Sequence, residues 1–364
     1  MTTGGYVPQS DAGTRIKVIV ADDSPVAREM LLQILASDPG IEVIGTATNG
    51  EEAVEAVARL RPDLITMDIH MPKMDGLEAT ERIMAYTPTP ILVVSSSVYG
   101  EGMGRAFDAL AVGALEVIKK PEPKDWAALG TIAREIIRTV KILSRVKVIT
   151  HLRGRHTPPQ GLAGLPPVEV PRTERARTVR LIAIGSSTGG PTALLNVLAR
   201  LPEDLPVPVV IAQHIAEGFV PGLASWLNSG SKISVVAAAD GDVMRPGVAY
   251  MATTGSNMEV DGMTLRFTAP RPGQLYIPSA DTLFESVAVS YHDRAVGVLL
   301  TGMGADGAVG LKSMHDRGAH TICQDEATST VWGMPKAAVD IGAADIVLPV
   351  HEIAGVIGEI MTDA

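Results

Sequence analysis

The stretch Leu181-Ile-Ala-Ile-Gly-Ser-Ser-Thr-Gly-Gly-Pro191 constrains the fold more than any other part of the chain. An apolar, β-prone run ends there in a cluster of small residues. Pro191, suited to a first helical turn, then opens Thr192-Ala193-Leu194-Leu195-Asn196-Val197-Leu198, which has helical spacing. A strand, a sharp turn and a helix in that order form the unit from which α/β sheets are built. Gly185, Ser187 and Gly189 satisfy G-x-S-x-G, where the glycines let the backbone turn tightly and expose the central hydroxyl beside helix N-terminal N–H groups. Ser187 is the candidate nucleophile. The same turn could cradle a phosphate; that reading asks for a full G-x-G-x-x-G, absent here, and an acidic residue about 20 positions on, near which Glu203 and Asp204 stand.

A serine hydroxyl needs a base to take its proton and a carboxylate to orient that base. The strand Pro208-Val-Val-Ile-Ala212 runs into Gln213-His214. Ala295-Val-Gly-Val-Leu-Leu300 is apolar throughout, as suits a buried parallel strand, and is followed by Thr301-Gly-Met-Gly-Ala-Asp-Gly307. Three strand ends thus deliver Ser187, His214 and Asp306 to one face. Taken singly, His214 reads as an ordinary surface or core histidine and Asp306 as a turn residue serving the backbone. Their conjunction with Ser187 is what points to acyl transfer. The chain order Ser, His, Asp also differs from the orders of α/β-hydrolases, chymotrypsin and subtilisin.

The N-terminal half repeats the strand–helix alternation. Expected strands are 16–21, 41–47, 63–67, 90–94 and 115–118; expected helices are 26–36, 50–60, 102–111 and 126 to about 146. That is a flavodoxin-like, five-stranded parallel sheet, doubly wound. Its ligand edge collects Asp22, Asp23, Asp68, Ser95 and Lys120. Crowded carboxylates repel one another and call for a cation, and all-oxygen ligation suits Mg²⁺.

At 364 residues the chain exceeds what one core usually covers, so two domains are expected. Residues 1–14 read as a disordered tail, 15–140 as the first domain, 141–178 as a linker and 179–364 as the second domain. The linker is proline-rich, and Lys141 to Arg180 hold nine Lys or Arg against two Glu, whereas the chain as a whole carries −10. A basic tether between acidic domains can hold them near each other, or it can be a solvated tether alone. The acidic balance argues against nucleic acid as a partner, and no leader or membrane-spanning run is visible, so membrane insertion is not expected and a cytoplasmic location is. Cys323, the single cysteine, lies in a short apolar run without an obvious base and reads as a small buried residue rather than a rival nucleophile.

Ala-Asp-Asp-Ser-Pro at 21–25, Met-Asp-Ile-His-Met-Pro at 67–72 and Lys-Pro at 120–121 resemble a response-regulator receiver domain. The resemblance implies that Asp68 accepts a phosphoryl group and that Asp22 and Asp23 bind Mg²⁺ with the backbone carbonyl of His70. It also implies that Lys120 contacts the phosphoryl oxygens and that Ser95 is the switch hydroxyl. The stretches 184–191, 212–220, 300–310 and 324–335 look like the catalytic domain of the chemotaxis protein-glutamate methylesterase family. That resemblance implies Ser187 as nucleophile, His214 as general base, Asp306 as its orienter, and the Met303 N–H as oxyanion donor with Thr188 beside it. Ser186 departs from the family, where alanine is frequent. The activity implied is hydrolysis of glutamyl methyl esters and deamidation of glutamines on chemoreceptors, with a histidine kinase as phosphodonor. Mg²⁺ would serve the receiver only, and the unphosphorylated receiver would cover the active-site face. The remaining alternative is a regulator whose second domain only binds a partner.

Overall fold

The computed structural model describes residues 15–95, 101–121, 129–148 and 179–362. The first half builds a sheet from β1 (Ile16–Ala21), β2 (Ile41–Ala47), β3 (Leu64–Met67), β4 (Ile91–Ser95) and β5 (Glu116–Lys119), in the order β2-β1-β3-β4-β5 and parallel throughout. Between and after the strands run α1 (Pro25–Ala36), α2 (Gly50–Leu60), α3 (Gly76–Tyr86), α4 (Glu101–Ala111) and α5 (Leu129–Leu143). Helices cover both faces, so β3 and β4 are buried at every position and read as continuous apolar runs. Leu31, Leu35, Ile136 and Val140 pack on Val18 and Val20 on one face, while Val57, Ile83 and Phe107 belong to the core built on Ile19 and Ile65 on the other.

Local chemistry sets the helix starts. The Ser24 hydroxyl accepts from the Ala27 N–H and Pro25 takes the first helical position of α1. Asn49 and Glu52 form a reciprocal cap on α2: the Glu52 N–H donates to Asn49 Oδ1 at 3.0 Å and Asn49 Nδ2 donates to Glu52 Oε1 at 2.7 Å. The sequence reading names no helix at α3, whose start is fixed by Asp75 accepting from the Glu78 N–H. The fourth strand begins one residue later than expected, because Pro90 accepts from the Ile65 N–H but has no N–H to continue the ladder. Lys141, expected to open the linker, still belongs to α5 and pairs with Asp38 at 2.6 Å. The tail 1–14, linker residues 149–178 and the expected helix start at 126–128 lie outside the described residues.

The second half forms a seven-stranded sheet from β6 (Leu181–Ser186), β7 (Val209–Gln213), β8 (Ser234–Ala237), β9 (Val248–Met251), β12 (Ala295–Leu299), β13 (His320–Gln324) and β14 (Ile346–Leu348). Its order is β14-β13-β12-β6-β7-β9-β8, again all parallel. A separate antiparallel pair, β10 (Asn257–Asp261) and β11 (Thr264–Thr268), precedes α8 (Ala280–Tyr291). One face carries residues of α8, α9 (Ala308–Asp316) and α10 (Met334–Asp340), the other those of α6 (Gly190–Leu198), α7 (Val220–Gly230) and α11 (Val350–Thr362). From central β6 the chain builds outward first through β7 and later through β12. The crevice where strand order reverses therefore opens at the C-terminal ends of β6, β7 and β12. Those are the ends that carry Ser187, His214 and Asp306.

The halves meet through α4 and α7. Phe107 is fully buried, with its ring edge-on to Phe219 at 6.2 Å and tilted against Trp226 at 6.1 Å, so one apolar cluster runs from the first sheet into the second domain. Among the described residues no helix is long and apolar enough to cross a membrane.

Candidate active site

β6 ends at Ser186, and the chain reverses through Ser187, Thr188 and Gly189 before α6 begins. Gly189 holds φ at +75°, and a Cβ there would lie 2.3 Å from Thr330 Oγ1, so this corner tolerates only glycine. Ser187 is 9% exposed at the floor of the crevice. The Gly302 backbone presses against it: a Cβ on Gly302 would stand 2.7 Å from Ser187 Cβ and 3.1 Å from its nitrogen. This close approach brings Gly302-Met303-Gly304, the loop after β12, alongside the hydroxyl.

His214 follows β7 directly. Its Nε2 lies 2.8 Å from Asp306 Oδ2. Asp306 sits on the N-terminus of α8, where its carboxylate accepts from the Ala280 N–H at 2.7 Å, the Ser279 hydroxyl at 2.8 Å and the Asp281 N–H at 3.3 Å. Burial would raise its pKa, but the bonds from His214, Ala280 and Ser279 outweigh that and hold it below the usual carboxylate value. A carboxylate so fixed can orient an imidazole. With Nε2 committed to Asp306, Nδ1 is the ring nitrogen left free, and it is buried without a hydrogen-bond partner in this arrangement. Asp281 is pushed up by burial to about 6, against the N–H of Gly310, with the neighbouring Asp306 charge adding to the rise.

Four features of the site come from residues the sequence reading did not single out. The Tyr276 ring stacks flat on His214, centroids 4.6 Å apart and planes 7° apart. The Gln213 side chain, 2% exposed, donates Nε2 to the carbonyls of Ser187 at 2.9 Å and His214 at 2.8 Å, and accepts from the Ser186 hydroxyl at 2.6 Å. One amide therefore ties the turn that presents the hydroxyl to the strand end that presents the imidazole. Arg138 of α5 donates Nη2 to the Tyr276 hydroxyl at 2.9 Å and Nε to Met303 Sδ at 3.2 Å. Glu116 of β5 accepts from the Gly189 N–H at 3.2 Å. A signal for Gln213 existed in its position just before His214; the other three arrive from a distant loop or from the other domain. A cavity of about 640 Å³ between the domains is lined by Ser187, Thr188, His214 and Met303 on one side and by Glu116, Arg134, Glu135 and Arg138 on the other. Cys323 is fully buried in β13, and burial pushes its thiol up to about 12.

At the ligand edge of the first sheet, carboxylate oxygens of Asp22, Asp23 and Asp68 lie within 4.8 Å of one another. Lys120 Nζ bridges Asp22 Oδ2 and Asp68 Oδ2 at 2.8 Å each. Burial raises the pKa of Asp22 in spite of Lys120; burial also works against the lysine ammonium, but the two carboxylates hold it above its usual value. Ser95 ends β4, fully buried, and its carbonyl accepts from the Lys120 N–H at 2.9 Å. His70 lies in the exposed loop two residues after Asp68. Three carboxylates against one ammonium form an all-oxygen donor set that suits a hard divalent cation.

Residues 182–357 match the CheB methylesterase family and residues 18–128 the response regulator receiver domain. The chain is 44% identical over 347 residues to a protein-glutamate methylesterase/protein-glutamine glutaminase of Syntrophus aciditrophicus, covering 94% of this chain and 97% of that protein. It is 44% identical over 345 residues to one of Anaeromyxobacter dehalogenans, covering 95% and 97%. Among solved structures, the CheB methylesterase catalytic domain of Thermotoga maritima aligns at 32% identity with a TM-score of 0.47, over 52% of this chain and all of that one.

Proposed function

This chain belongs to the CheB family of response-regulator protein-glutamate methylesterases, and from that premise we propose that Ser187, His214 and Asp306 hydrolyse glutamyl methyl esters, and deamidate glutamines, on chemoreceptors. The observation that carries the reading is the 2.8 Å contact between His214 Nε2 and Asp306 Oδ2 on strand ends flanking the Ser187 turn. His214 Nδ1 takes the Ser187 proton as Oγ attacks the side-chain carbonyl of the ester. The N–H of Met303, with Thr188 beside it, faces the developing oxyanion. Collapse expels methanol, which receives the proton from His214. Water, activated by the same imidazole, then hydrolyses the acyl-serine and frees the glutamate. With a glutamine the leaving group is ammonia.

Asp68 is the phosphoacceptor in this reading. Asp22, Asp23, Asp68 and the backbone carbonyl of His70 would hold Mg²⁺, which when bound offsets the negative charge of an incoming phosphoryl group. Lys120 contacts the phosphoryl oxygens, and Ser95 is the hydroxyl that responds. In the unphosphorylated chain β5 and α5 wall one side of the cavity that holds Ser187. Phosphorylation by a histidine kinase shifts the population toward an arrangement that admits a receptor, so the phosphoryl group must favour the open form energetically. The segment that follows α5, up to residue 178, acts as the tether between the two domains. The site of action is the cytoplasmic helical bundle of the receptor.

The test is methanol release from methylated receptor membranes by the intact chain and by Ser187→Ala. Release that disappears in the variant supports the assignment. Equal release from both chains overturns it.

A further inference from the structure

Glu116 opens β5 of the receiver, yet its carboxyl serves the other domain. Oε1 accepts from the Val117 N–H at 3.1 Å, and Oε2 accepts from the Gly189 N–H at 3.2 Å, two residues beyond Ser187. Gly189 is the N-cap of α6 and offers that helix no side-chain acceptor. Glu116 takes the N–H of the cap residue itself, the donor that a Glu or Gln at the third helical position takes in a capping box. It shares a single cavity with Ser187, Thr188, His214 and Met303. Burial pushes its pKa up to about 8, against the two N–H donors and with Glu135 adding repulsion. Near neutral pH the group is therefore largely an uncharged carboxyl, whose carbonyl has the shape and polarity of a side-chain ester or amide. The receiver thus places beside Ser187 a glutamyl side chain, the residue whose ester or amide the esterase consumes.

We propose that Glu116 is a built-in product analogue, occupying the subsite for the substrate's glutamyl group, with the Gly189 N–H as the donor that holds the carbonyl end of that group. The inference rests on the esterase reading above and adds to it the place where the glutamyl side chain docks. A carboxyl is the end group this chemistry cannot use up, since acylation by an acid followed by hydrolysis returns the same acid. Glu116 can therefore stay in the subsite indefinitely. Closure and substrate binding compete for one N–H, so the receiver excludes substrate chemically as well as by bulk.

The experiment uses the full, unphosphorylated chain and follows methanol release from methylated receptor membranes, with N-acetylglutamate α-amide as a soluble probe of the subsite. Glu116→Leu keeps the bulk and removes the acceptor, and raises release about fivefold. Glu116→Gln restores a carbonyl acceptor and brings release back toward the starting value. The probe competes with receptor in Glu116→Leu at concentrations several-fold lower than those needed in the parent chain, where Glu116 already fills the subsite. Thermal unfolding shows whether each variant is folded, and release with a small phosphodonor plus Mg²⁺ reports that Ser187 still works. Equal activation by both substitutions, no activation by either, or indifference of Glu116→Leu to the probe would overturn the inference alone. Absence of Ser187-dependent release under every condition would overturn the esterase reading with it.

Discussion

Arg138 of the receiver donates to the hydroxyl of Tyr276 at 2.9 Å, and its guanidinium carbon stands 5.9 Å from the centre of that ring. Because Tyr276 lies flat on His214, the receiver reaches His214, the proposed base, through one intermediate side chain. Tyr276→Phe keeps the stack and loses the hydrogen bond from Arg138. Its unphosphorylated activity should rise by about 3- to 10-fold, the factor carried by one hydrogen bond, with little change in kcat once phosphorylated. Tyr276→Ala removes the stack as well and should lower the phosphorylated kcat. Steady-state methanol release in both phosphorylation states separates the two; a fall in both states for Tyr276→Phe would contradict the coupling.

Phe107 joins α4 to α7 by packing its ring against both Phe219 and Trp226. Phe107→Ala should destabilise the chain by about 3–5 kcal/mol in denaturant unfolding and bring unphosphorylated release close to the phosphorylated level. Unchanged basal release would mean that closure does not depend on this contact.

Glu116 makes closure pH-dependent. Its docked pKa is about 8 against an ordinary 4.5, so the closed form binds the extra proton. The stabilisation of closure is complete below about pH 4.5 and is lost as pH rises through 8. Arg134, Glu135 and Arg138 of α5 share the cavity with it, as does His214. Since His214 as the proposed base would act in both states, the ratio of phosphorylated to unphosphorylated activity isolates closure. That ratio should fall as pH rises from 5 to 8 and should fall less in Glu116→Gln, where Glu135, also raised by burial, remains. A flat ratio in the parent chain would contradict the assignment.

Gln213 holds the carbonyls of both Ser187 and His214. Gln213→Glu turns a donor toward those carbonyls into an acceptor, and should cost about 1–3 kcal/mol of stability and at least tenfold in kcat. Ser186→Ala removes only the 2.6 Å bond to Gln213 Oε1 and should do less of both. Urea unfolding and kcat of the two variants check the order.

The strand ends were legible because parallel sheets gather their C-terminal ends at one edge. Asp68, Ser187, His214 and Asp306 each follow an apolar run, and the structure brings the last three to adjacent strands. Tyr276 was not legible, because it comes from a loop with no periodic pattern. Glu116 and Arg138 read as ordinary residues of a receiver strand and helix, and their meaning depends on how two domains pack. The helix α3 carries a weak sequence signal because its buried face, repeating at 79, 80, 83 and 84, begins with the small or polar Ala79 and Thr80 and turns apolar only at Ile83 and Met84. The shift of β4 by one residue follows from Pro90, whose missing N–H marks an edge that hydrophobicity alone does not.

Control of a serine esterase by a receiver in this chain is put to the test by methanol release from methylated receptor membranes before and after a small phosphodonor with Mg²⁺, comparing the parent chain with Asp68→Asn. Release should rise in the parent chain, should not rise in Asp68→Asn, and should be absent in Ser187→Ala under either condition, as receiver control requires. An equal rise in Asp68→Asn would contradict it.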